Sequence, residues 1–582
     1  MRADLIDSTA PTEVSMPYDI QPVSAPRMTG LTLRLFTRLT ERPLVGRAIR
    51  THLKSQIGIS RLRTVPIHEE VPADLKLRRR LENVADTPLE SDHPVRVSNE
   101  AASFRGGPHA EGFQFTTIAD YALAYREGEA TPLDVAQRVL DATKASEAGD
   151  PAMRIFIAQD EKDILAQARA ATERHKRGVP ISGFDGVPVA VKDEVDMTPY
   201  PTTVGTRFLG RGPASEDATV VTRLRQAGAL LIGKVNMHEL GLGVTGINPH
   251  HGAARNPYDT NRVTGGSSSG SAAAVAAGLC PVAIGADGGG SIRIPAGLCG
   301  VVGLKPTFGR ISEHGAAPLC WSVAHLGPIA ATARDAAAAY ALMAGPDPAD
   351  PQTARQPPMH LNGFEREDLT GVHLGVYRPW FEHADPEVVT ACKEAVRRLQ
   401  SLGATLVEVD IPELELVRLA HLVIIATEMA AARLQDSASA RAQYGYDVRL
   451  NFALAGDITA AEYIQARRLR ARLCRQIEDI LDTVDAIVTP TTGCTAPSIS
   501  PDALISGESN LPLLDKIMRF APLPNLTGHP AVSFPVGYDS NRMPIGLQAI
   551  GRAWQESLLL TIARMGESGF VRQAPARHFP LL

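Results

Sequence analysis

From Val263 to Ala286 the chain carries no charged side chain, yet the stretch is crowded with glycine and serine and is broken by Pro281. Its length superficially suits a membrane span. A hydrocarbon-facing helix, however, is poorly served by so many small polar residues and an internal proline. The stretch reads instead as a loop, Thr264-Gly-Gly-Ser-Ser-Ser-Gly-Ser271, opening into an alanine-rich helix and then an apolar strand over Pro281–Ala286. Such a loop presents free N–H groups and hydroxyls at a helix N-terminus. Directly after the strand comes Asp287-Gly-Gly-Gly-Ser-Ile-Arg-Ile-Pro295. Three glycines ahead of a serine let the backbone approach a ligand closely and aim several N–H groups at one point. Donors arranged in that way build an oxyanion hole. Ser291 is therefore the candidate nucleophile, with the backbone N–H groups of Gly288, Gly289, Gly290 and Ser291 around it.

A serine needs a base, and no His or Asp stands in an obvious motif. Gly186-Val-Pro-Val-Ala-Val-Lys192-Asp193 instead places a lysine directly after a buried apolar run. A free lysine, with a pKa of about 10.4, is protonated at neutral pH and useless as a base. Full burial can lower a lysine by roughly 3–5 units. The plain alternative is that Lys192 only pairs with Asp193, Glu194 or Asp196. Gly266-Ser-Ser-Ser-Gly270 also fits a nucleophile elbow centred on Ser268, but Asn256–Arg262 before it is no buried strand. Cys299 and Cys320 flank the segment without a base beside them and read as core residues. His250-His251 are adjacent residues without further patterned ligands, and His238 lies on an apparently helical stretch as a structural or channel-lining residue. We expect no metal and no cofactor.

Lys192, the Gly265-Gly-Ser-Ser268 loop and the Asp287–Pro295 segment, continued by Ala296-Gly-Leu-Cys-Gly-Val-Val-Gly-Leu-Lys-Pro-Thr307, together resemble the amidase signature family. Their order and their intervals, Lys192 to Ser267 to Ser291, fit that family's Ser–cis-Ser–Lys triad. Val484–Pro490 and Pro544–Gln548 extend the likeness, which covers roughly residues 115 to 570. The resemblance implies an α/β fold with a central mixed, twisted sheet covered by helices on both faces. It implies that Ser291 attacks an amide carbonyl to form an acyl-enzyme. Ser267, on a cis peptide after Gly266, would relay the proton to neutral Lys192. Ser268 would be a further partner of the lysine, and Asp287 and Arg293 would brace the loop. Ser269 and Gly288 depart from the commonest family pattern, and both departures are similar to the plant-type fatty acid amide hydrolases. So are Gly233–Gly241 and Thr29-Gly-Leu…Pro43-Leu-Val-Gly46. That branch implies a lipophilic amide substrate such as an N-acylethanolamine, and a homodimer. The alternatives are a broad aliphatic or aryl amidase, or the glutamine-hydrolysing A component of an amidotransferase.

The rest of the 582-residue chain is of ordinary globular composition, with 44% hydrophobic and 21% charged residues. A net charge of -5 argues against a general nucleic-acid binder. Six scattered cysteines and an acidic start, Met1-Arg-Ala-Asp-Leu-Ile-Asp7, read as an intracellular protein without a signal peptide. Residues 1–63 form an arm followed by a helical hairpin. Leu31, Leu35 and Leu39 make one stripe with Phe36 beside them, Arg34 and Arg38 lie on another face, and Pro43 starts a second helix. Arg27, Arg34, Arg38, Arg42, Arg47, Arg50, Lys54, Arg61 and Arg63 face only Glu41 in charge. A basic amphipathic hairpin over 27–63 suits peripheral contact with an anionic membrane; packing on the body or a second protomer is the alternative. Residues 64–114 read as an extended wrap and 115–582 as the catalytic domain. Strands are expected at Val187–Val191, Ala229–Ile232 and Ala486–Thr489, helix from Thr116 to about Ala145, and a linker at 345–358. Residues 359–480 should form a mostly helical pocket region, with Leu414 to Arg470 as pocket wall.

Overall fold

The computed structural model describes residues 18–69 and 112–582, so most of the expected arm and nearly all of the expected wrap lie outside the described residues. A small antiparallel pair, β1 (Met28–Thr29) with β11 (Glu508–Ser509), ties the N-terminal segment to the body. The main sheet uses β2 (Phe156–Ala158), β3 (Pro188–Lys192), β4 (Leu230–Val235), β5 (Val282–Ala286), β6 (Val302–Lys305) and β7 (Leu326–Ala330). It continues through β8 (His373–Val376), β9 (Thr405–Glu408), β10 (Ala486–Pro490), β12 (Ala531–Tyr538) and β13 (Pro544–Gly551). These 11 strands lie in the order β2-β4-β3-β5-β7-β6-β12-β13-β10-β8-β9. The sheet is mixed: β3 is parallel to β4 and β5, β8 is parallel to β9 and β10, and the other neighbours are antiparallel. Strands β3, β4, β5 and β10 are buried along their whole length. Burial on both faces is why their sequences run apolar instead of alternating.

The helix expected over Thr116–Ala145 is two helices, Ile118–Glu127 and Pro132–Glu147. Gly128 ends the first at φ 77, and Thr131 caps the second in a reciprocal pair with Asp134. Residues 345–358 are a loop with one 3₁₀ turn over Pro351–Arg355, as a linker requires. The region 359–480 is mostly helical, as expected, though β8 and β9 also fall inside it and complete one edge of the sheet. Both strands are four residues long, too short for alternation to stand out from the helices around them. Among the described residues no helix is long and apolar enough to cross a membrane.

The N-terminal hairpin consists of α1 (Gly30–Thr40) and α2 (Pro43–Ile57). It turns its leucine stripe outward. Leu31, Leu35 and Leu39 are 69%, 52% and 48% exposed, and Leu44 is 87% exposed. Leu33, Thr37 and Thr40 face the body instead. Packing of the stripe on the body is therefore excluded as its role. Most of the basic residues serve internal pairs. Arg27 meets Asp502 and Glu508, Arg50 meets Asp457, Arg61 meets Glu415, and Lys54 and Arg63 share Glu462. Arg38, Arg42 and Arg47 remain exposed beside the leucines. Lys54 Nζ is the central anchor, donating to Glu462 at 2.8 Å and to the Asp457 carbonyl at 2.6 Å. Glu462 is buried, so losing this partner is costly, and exposed Arg63 offsets part of the cost. Lys54→Met should loosen the hairpin by about 1–3 kcal/mol. Faster amide exchange confined to residues 30–63, with the main sheet unchanged, is the expected reading.

Candidate active site

Strand order brings the chemistry together. Strands β3 and β5 are parallel neighbours, with Val191 opposite Ile284, so Lys192 and Asp287 leave the sheet at the same edge. The helix Ser269–Ala276 precedes β5 and sets the glycine–serine loop at that edge as well. Lys192 is 1% exposed. Its Nζ lies 2.9 Å from Ser267 Oγ and 3.2 Å from the Ala286 carbonyl. A carboxylate oxygen of Glu194 stands 2.7 Å away. The pairing with Glu194 and the contact with Ser267 thus coexist at one lysine. Asp193 turns instead to Thr203, Gly205 N–H and Lys234. The Gly266–Ser267 peptide is cis.

Ser291 is 6% exposed and lines the same cavity as Ser267 and Lys192. Its carbonyl accepts from Ser268 N–H at 3.3 Å, which ties the two loops together. Among the described residues, no hydrogen bond joins the two hydroxyls of Ser291 and Ser267. The expected role of Ser268 is corrected. Its Oγ bonds the N–H and carbonyl of Ala286, so it meets Lys192 only through a shared acceptor.

The oxyanion set is corrected too. Gly290 N–H donates to Asp287 Oδ1 at 2.5 Å, so it is already spent. That leaves the N–H groups of Gly288, Gly289 and Ser291 as the candidates. Gly290 must be glycine for a separate reason: its φ is 114, and a Cβ there would stand 2.6 Å from Ala521 and Ile294. Asp287 also accepts from Ile292 N–H and Asn525, and forms a fully buried pair with Arg293 at 3.0 Å. Burial would push its carboxyl up, but Arg293, Lys305 and the Gly290 N–H outweigh burial and hold it well below the usual carboxylate range. Arg293 in turn reaches Gln548, Asn525 and the Ala521 carbonyl. Both residues brace the loop.

The rival groups are accounted for by their contacts. Burial pushes the thiols of Cys299 and Cys320 up, which disfavours the reactive thiolate. His250 bonds Glu239 and His251 bonds the Thr206 carbonyl. His238 donates its backbone N–H to the Ser267 carbonyl, and its ring lies 3.6 Å from Asp447. Glu194 is the one of the three carboxylates named beforehand that pairs with Lys192, while a contact not legible from local pattern is that of His421, whose Nε2 lies 2.7 Å from the Gly288 carbonyl.

The cavity at Ser291 has a volume of about 260 Å³ and a mainly apolar lining. The helix Leu414–Ala432 lines it through Val417, Leu422, Ile425 and Met429, in keeping with the expected wall. Leu454 and Ile458 continue that wall, whereas Arg470 lies outside it. Ile57 and Ile59, at the end of the hairpin, line it too, in keeping with the resemblance's implication that the N-terminal helices help frame a lipophilic channel, and Leu514 and Met518 add a side the sequence did not reveal.

A buried lysine, a cis serine and a serine behind three glycines, all on one cavity, are matched by the amidase family model over residues 138–560, and the chain belongs to the amidase signature family. It is an amide hydrolase by class. The fatty acid amide hydrolase of Medicago truncatula is 38% identical to it, with 98% of this chain and 97% of that relative aligned. The fatty acid amide hydrolase of Arabidopsis thaliana is likewise 38% identical, over 97% of this chain and 96% of its own length. Among solved structures, the peptide amidase from Stenotrophomonas maltophilia superposes with a TM-score of 0.68 at 29% identity, covering 80% of this chain and 98% of that one.

Proposed function

We propose that the protein hydrolyses long-chain fatty amides, such as N-acylethanolamines, through an acyl-enzyme on Ser291. The observation that carries this reading is the Lys192–Ser267 contact opening, at Ser291, onto an apolar channel. Ser291 Oγ attacks the carbonyl carbon while its proton passes to Ser267, whose own proton passes to the neutral amine of Lys192. The N–H groups of Gly288, Gly289 and Ser291 take the charge that develops on the carbonyl oxygen. As the tetrahedral intermediate collapses, the relay runs backwards and the proton reaches the leaving nitrogen, releasing the amine. Water then attacks the ester, with Lys192 again accepting the proton, and the acid departs.

The near-full-length likeness to fatty acid amide hydrolases supports the acyl preference, as do the apolar residues that line the channel. The leucine stripe on α1, next to Arg38, Arg42 and Arg47, forms a surface for an anionic membrane, and a homodimer would frame the channel mouth.

In a panel of acetamide-sized, aryl, glutamine and long N-acylethanolamine substrates, the last should have the highest kcat/KM. Best turnover of an arylamide or of glutamine would overturn the lipid reading and leave the amidase class standing. Ser291→Ala and Lys192→Ala should each lose about 10⁴-fold or more in kcat, and Ser267→Ala most of the activity.

Deleting residues 1–63 should weaken binding to anionic liposomes. Undiminished binding by a chain that has become monomeric would assign the stripe to a contact between protomers alone.

A further inference from the structure

The helix Leu414–Ala432 does two things at once. Val417, His421 and Ile425 recur every four residues and so share one face. Val417 and Ile425 line the channel, while His421, 2% exposed between them, reaches the loop ahead of Ser291. Its Nε2 is 2.7 Å from the Gly288 carbonyl. A carbonyl can only accept, so Nε2 bears the hydrogen. Burial lowers the ring to about 4, leaving it neutral in the range where amidases work. The seating is close: a Cβ on Gly289 would stand 2.8 Å from His421 Cε1.

The loop is therefore pinned from two directions. Asp287 and Arg293 hold it from Gly290 onward, through Gly290 N–H and Ile292 N–H. His421 holds it at the preceding peptide. Gly288 and Gly289 have no side chains to fix their rotation, and without a partner the peptide between them has wide conformational freedom. A peptide is planar, with its C=O and N–H on opposite sides. Fixing the Gly288 oxygen fixes the direction of the Gly289 N–H.

Building on the acyl-transfer reading above, we propose that His421 is a positioning residue: it orients the Gly289 N–H in the oxyanion hole and couples acyl-chain occupancy of the channel to that orientation. A chain packed along Val417 and Ile425 lies against the helix that carries His421, and so steadies a contact to the Gly288 carbonyl that is already in place. Binding energy from the remote end of the substrate then appears in kcat instead of KM.

Two variants of similar size separate hydrogen bonding from packing: His421→Met has no donor, and His421→Gln retains one. With a long acyl amide, His421→Met should lose about 10–100-fold in kcat while KM stays within about threefold. His421→Gln should keep at least about tenfold more activity than the methionine variant. A trifluoromethyl ketone, which forms an oxyanion on Ser291, should lose affinity in the methionine variant by the same factor as kcat/KM. Across a series of chain lengths, the rise of kcat in the wild type should flatten in His421→Met. Equal activity of the two variants, unchanged ketone affinity, or a preserved rise of kcat with chain length would each overturn the proposal. Ketone affinity reads His421 whichever amide proves to be the substrate. Failure of the wild type to cleave long-chain amides would overturn the lipid reading and the coupling to chain occupancy, while ketone affinity would still decide the orienting role of His421.

Discussion

The buried pair of Asp287 and Arg293 is the constraint on which the site depends. An ionised carboxylate without water is expensive unless every oxygen is met, and here five groups meet it: the N–H of Gly290 and of Ile292, two nitrogens of Arg293, and the amide of Asn525. Arg293 carries the connection onward to Gln548 on β13 and to the Ala521 carbonyl. One charge pair thus fastens the serine loop, the last long strand and the helix Pro522–Thr527 to one another. The loop can be three-quarters glycine and still hold a shape because its neighbours, and not its own residues, specify the shape.

The same contact shows why a composition-level reading of the hole overshoots. Four consecutive N–H groups look equivalent in the sequence. Folding makes them unequal, since one must satisfy the carboxylate that holds the turn. The strands that carry the site were legible because they are buried on both faces and so read as apolar runs. Lys192, Ser267 and Ser291 were legible because they belong to contiguous motifs. The neighbour of Lys192 at Glu194 was visible only as a possible pairing partner, with nothing to say that the pairing and the serine contact would coexist. His421 lies more than a hundred residues from its partner, on a helix whose sequence reads simply as apolar wall. Long-range contacts of this kind leave no periodic trace.

The N-terminal hairpin's helices were legible in the sequence, whereas the direction its leucine stripe faces was left open between a membrane surface and packing. A leucine stripe at four-residue spacing looks like an inward face, and in a lone globular domain it would be one. Here the inward face is set by Leu33, Thr37 and Thr40 and by the ion pairs of Arg50 and Lys54, which overrule it. Charge, usually a mark of the solvent side, marks the docking side for these residues.

That docking has a consequence during synthesis. The partners of Lys54 are 403 and 408 positions further along the chain, and those of Arg27 are 475 and 481 positions away. At about 5–20 residues per second, the hairpin emerges roughly 20–80 s before the first of its anchoring groups exists. Through that interval Leu33 and the cations that later form ion pairs have no native neighbour to lean on. A nascent chain built in this order presents a greasy, positively charged end to the ribosome's surroundings for most of its time in translation, and whatever binds it there has to let go when the helix bearing Glu462 arrives.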